Sequence, residues 1–169
     1  VPLGAGARMP LVDLCIPALR SLSAGQHRAF MADLQELIAI DDRTSLDEYL
    51  LYKLVSFRVS PRAANSHSVT LKPILPQAAV LLSALAHASA GRAELAFATA
   101  MSRVFDQSPQ LVPLPRSQCG PTHIDRALDV LSTASPAMKR KLIDACAWCV
   151  AADGHINPRE AELLRVCLL

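Results

Sequence analysis

Apolar residues recur every three to four positions over most of the chain, which is the period of a helix with one buried face. Phe30, Leu34, Leu37 and Ile38 form one such stripe, and Leu142, Cys146, Cys149 and Val150 form another. Each stripe follows a helix-start signal. Ser23 stands three residues before Gln26, the spacing of a capping box, in which the hydroxyl accepts from an orphan N–H and the longer side chain reaches back. Ser135 is followed by Pro136, and proline is the residue best tolerated in a first helical turn. The next helices open in the same way, at Ser45 with Glu48 and at Asn157 with Pro158 and Glu160. No segment alternates with period two over a strand length beside turn signals.

These coincidences reflect an internal repeat. A shift of 112 residues lays Val12–Phe57 on Ile124–Leu169 without a gap, and eight of the 46 pairs are identical, among them Ser23/Ser135, Asp41/Asp153 and Glu48/Glu160. Both copies read as helix, helix, short acidic corner, helix. Between them, 58–76 holds three prolines and reads as a loop, 77–89 and 92–105 read as two helices broken at Gly91, and 106–121 reads as a second loop. The expectation is an all-α bundle of about eight helices in one compact domain. A leader covers 1–10, the first three-helix unit 11–57, the central helix pair 77–105, and the second three-helix unit 122–169, truncated at its C-terminal end.

Composition agrees with helix. Apolar residues make up 51% of the 169 and aromatics only 4%, so the chain holds enough apolar surface for a core and lacks the residues that favour sheets. Mean hydropathy is +0.27, yet no apolar run approaches the roughly 18 residues of a spanning helix. The net charge of +2 is scattered, Lys139–Lys141 being its longest basic run, so the basic stripe and stacking aromatics of a nucleic-acid binder are missing. Five cysteines, an odd number, and no secretion signal point to a reducing, cytoplasmic setting.

Candidate chemistry is sparse. Cys146 and Cys149 form a CxxC, but well inside a helix, and their counterparts in the first copy are Leu34 and Leu37. Core packing is the expected role, with redox or metal chemistry as the alternative. The corner from Asp153 to Glu160 resembles the closing half of an EF-hand loop, but its Glu comes seven residues after the Asp, where calcium geometry needs eleven. Asp41, Glu48, Asp153 and Glu160 are therefore read as turn and cap residues first and as weak divalent-cation ligands second. No HExxH, second CxxC, GxSxG elbow or glycine-rich phosphate loop is present, so the sequence contains no recognisable catalytic constellation. Trp148 takes the place of Glu36, on the side of its helix away from the apolar stripe. Either the central helices cover it or it stands exposed as an anchor for a protein partner.

Residues 151–156 (Ala-Ala-Asp-Gly-His-Ile), followed by 160–165 (Glu-Ala-Glu-Leu-Leu-Arg), resemble the signature of tellurite-resistance TerB-like helical domains. Residues 9–14, 17–20 and 37–51 are similar to the C-terminal region of certain bacterial membrane-embedded zinc metallopeptidases, of the heat-shock and CAAX-processing protease family; 150–164 fits the end of that region. This resemblance implies an upstream catalytic domain with an HExxH zinc site and several spanning helices. No catalytic role carries onto any residue here, and zinc is expected only in that parent domain. The TerB-like association with acidic, metal-linked surfaces reaches only Asp41, Glu48, Asp153 and Glu160. The implied function is a non-catalytic interaction or regulatory module at the cytoplasmic face of the inner membrane, with a protein or the parent's own catalytic or membrane domain as partner. The alternative is a stand-alone stress-response module that binds a divalent cation.

Overall fold

The computed structural model describes residues 7–39, 45–59, 71–89, 92–104 and 112–168, without the side chains of 71–73. The chain is all-α, with eight helices and no strand among the described residues. They are α1 (Arg8–Arg20), α2 (Ala24–Ala39), α3 (Leu46–Val59), α4 (Leu71–Ala88), α5 (Ala93–Val104), α6 (Pro121–Ser132), α7 (Pro136–Val150) and α8 (Pro158–Cys167). None is long and apolar enough to cross a membrane.

The 112-residue shift maps one set of helices onto the other: α2 and α3 start at 24 and 46, and α7 and α8 at 136 and 158. The reason is local. Ser23 and Gln26 form the expected reciprocal box, the Ser23 N–H donating to Oε1 at 2.9 Å and the Gln26 N–H to Oγ at 3.4 Å. Ser135 accepts from the Met138 N–H at 3.3 Å. Ser45 with Glu48, and Asn157 with Glu160, each close a complete box. Caps act over three residues, so they survive wherever the sequence repeats.

The chain divides into two compact units, 1–63 and 64–168. In the first unit, α3 is the hub, packing against both α1 and α2 with Tyr49, Leu50, Leu54 and Val55 buried. In the second unit α4 is the hub, touching α5, α6, α7 and α8, while α5 packs most extensively on α7. Phe97, Leu82, Leu85 and Met101 are fully buried there with Ile124, Val150 and Leu163.

One boundary differs from the sequence expectation. Residues 71–76, read as the end of a loop, are the opening turns of α4. Pro73 lies in the first turn, where its missing N–H has no intrahelical partner, and Pro76 removes only one further bond. Two prolines near a helix start therefore look like a loop in sequence and cost the helix little.

Candidate functional site

The acidic corner between α7 and α8 is built around Gly154, whose φ of 77° lies in the left-handed region that a side chain would strain. Asp153 Oδ1 accepts from the His155 N–H at 3.0 Å, and Oδ2 accepts from the Ser89 hydroxyl at 3.2 Å. Asn157 caps α8 through Oδ1 and donates its amide to the Ala88 carbonyl at 3.0 Å. One corner thus closes a turn, starts a helix and ties down the last carbonyl of α4. Glu160 completes the cap through Oε2, at 2.8 Å from the Asn157 nitrogen, and is fully buried.

The same end of α4 is held from a second side. The Leu114 N–H donates to Ser83 Oγ at 2.9 Å, the His87 ring nitrogen meets the Leu114 carbonyl at 2.7 Å, and Arg116 donates to the His87 carbonyl at 3.1 Å. Beside these bonds lies an open depression of about 530 Å³, lined by Ser89, Arg92, Ala93, Glu94, Leu95 and Arg116.

Of the proposed cation ligands, Asp41 lies outside the described residues. Glu48 caps α3 in the first unit, and Asp153 and Glu160 belong to the second. Among the described residues no group of three or more His, Cys, Asp or Glu is arranged to hold a metal ion. The backbone N–H and then the hydroxyl of Ser45 hold the Glu48 carboxyl below its ordinary value. The His155 N–H, followed by the Ser89 hydroxyl against some burial, does the same for Asp153. A lowered folded-state pKa stabilises the fold above the ordinary carboxylate range and loses that contribution as pH falls through the folded value. Melting temperature is therefore expected to fall on acidification below about pH 4.5, the ordinary value for Glu48. Asp153→Asn, which keeps an acceptor and loses the titration, should make that fall shallower in thermal melts between pH 6 and 3.

Cys146 and Cys149 lie on the buried face of α7, each only 1% exposed. The Cys149 thiol donates to the Leu82 carbonyl at 3.7 Å, and burial, with Cys146 and Glu160 nearby, pushes its pKa up to about 12. The neighbouring Cys146 thiol and burial likewise raise the Cys167 thiol well above its ordinary range. A reactive cysteine needs the opposite environment, electropositive and open. Alkylation at neutral pH should label exposed Cys15 quickly, and Cys146 and Cys149 only on unfolding. Rapid labelling of Cys149 in the native protein would return the pair to the list of active sites.

Trp148 is 44% exposed, and the Arg103 guanidinium of α5 lies over its ring at 4.1 Å from the centroid. A central helix covers one face of the indole, and the rest is open. Arg103 carried no signal in the sequence, because its partner lies 45 positions away on another helix.

No protein family, curated protein or solved structure matches the chain.

Proposed function

We propose that this chain is a non-catalytic helical interaction module whose docking surface is the ridge formed by α5 and α7 at Trp148. The observation that carries this reading is the Arg103–Trp148 stack on an otherwise half-open indole. A guanidinium over the ring holds the largest side chain of the chain in one orientation, so little further entropy is lost when a partner covers it. Tryptophan and arginine are also the residues most often found as anchors of protein interfaces. The resemblance to TerB-like domains and to the tail of a membrane zinc metallopeptidase supplies the proposed setting: the partner is then the parent's own catalytic or membrane domain, or its substrate, at the cytoplasmic face of the inner membrane.

Two experiments test this. A photo-crosslinking amino acid placed at exposed Asp144, one turn from an intact Trp148, should give one discrete protein adduct in cells, lost in Trp148→Glu or Arg103→Glu variants whose far-UV circular dichroism is unchanged. A smear, or adducts equal to those from a probe at exposed Ile143 on the same helix, would sink the docking surface. Sequencing the reading frame upstream of residue 1 tests the setting: an HExxH motif with hydrophobic spans supports the protease tail, and their absence removes it.

A further inference from the structure

The internal repeat allows one unit to show what the other is missing. On α6 and α7 the repeated stripe includes Ala127, Leu131, Leu142, Cys146, Cys149 and Val150, none more than 6% exposed, because α4 lies across both helices and α5 seals α7. The same positions in the first unit are Cys15, Leu19, Phe30, Leu34, Leu37 and Ile38, and none of them is buried. The contrast is sharpest at Leu37, 65% exposed, against Cys149 at 1%. α2 as a whole buries no residue, while α7 buries five. In the first unit α1 turns Met9 and Ile16 to the interior instead, and no helix plays the part of α4 among the described residues.

We infer that the α1–α2 face is the vacant counterpart of the α4 seat and takes a helix of α4's chemistry in trans. That chemistry is an Ala- and Leu-rich helix whose only charged side chain is basic, as in the sequence of α4, LKPILPQAAVLLSALAHA. Charge points the same way. Where the filled seat has fully buried Ala145, the open one has exposed Asp33, an acidic side chain set among apolar ones. A partner helix carrying Lys or Arg matches it, and one carrying Asp or Glu there is repelled. This surface belongs to the first unit and the Trp148 ridge to the second, so the two docking readings stand or fall separately.

The probe is a synthetic, N-acetylated, fluorescein-labelled peptide of the α4 sequence, confirmed monomeric and titrated with the full 169-residue chain by fluorescence anisotropy. Saturable binding is expected, and Leu37→Glu should weaken it by roughly tenfold or more, the scale of one buried leucine. Asp33→Lys should weaken it several-fold and Asp33→Asn less. Trp148→Glu should leave it unchanged. Leu37 is exposed, so its variant should keep its helicity and melting temperature, which separates lost binding from lost folding. Two results would overturn the inference: no saturable binding up to about 1 mM peptide, or binding that Leu37→Glu leaves intact, the signature of a peptide displacing α4 from the second unit.

Discussion

Phe97→Ala is expected to cost about 3–5 kcal/mol, the scale of emptying a fully buried aromatic position. The side chain is fully buried on α5, the helix that packs most extensively on α7, among Ala96, Ala100 and Met101. Ala96 and Ala100 beside it are too small to spread into the space, so the loss combines lost transfer free energy with whatever cavity the flexible Met101 leaves unfilled. Against a typical domain stability of about 5–15 kcal/mol, that removes a large fraction of the margin that keeps the second unit folded. Chemical denaturation followed by the fluorescence of Trp148, the only tryptophan, reads the second unit directly. A midpoint shift worth less than about 1 kcal/mol would mean that α5 is not seated on α7 as described.

The second large effect is at Glu160. Glu160→Ala is expected to destabilise by about 1–3 kcal/mol, because it removes the acceptor of the part-buried Asn157 N–H and opens a void at the start of α8. Part of that loss is offset, since Oε1 of the same carboxyl is buried without a partner and its removal relieves a desolvation cost. Glu160→Gln retains an acceptor for the Asn157 N–H and is expected to stay close to the parent. The equivalent change at Glu48, which makes the same capping box in a more open place, should cost less. Thermal melts of the three variants check this ordering; equal losses at Glu48 and Glu160 would show that burial of the cap contributes nothing.

Most of the helices were legible in the sequence. Ser23, Ser45, Ser135 and Asn157 mark helix starts by interactions that span three residues, and the structure places α2, α3, α7 and α8 where those marks fall. The start of α4 was not legible, because Pro73 and Pro76 are turn signals unless they fall in an opening helical turn, where the backbone tolerates them. The candidate site was legible only in part. Asp153 and Glu160 could be named as turn and cap residues, but nothing local connects Asp153 with Ser89, Asn157 with the Ala88 carbonyl, or Trp148 with Arg103. Each of those contacts joins segments more than 40 positions apart.

The sequence by itself determined the helical class, the repeat and the caps, because period, propensity and capping are short-range properties of neighbouring residues. Only the tertiary structure decided which apolar stripe is core. Leu34 and Leu37 look like core in sequence, as do their counterparts Cys146 and Cys149; yet Leu37 is open and Cys149 sealed. The stripes share a pattern, and the difference lies in α4 and α5, which cover the stripe of the second unit, while no described helix of the first unit takes their part there. Burial is a property of what packs across a helix face, and a helix face does not record its neighbour.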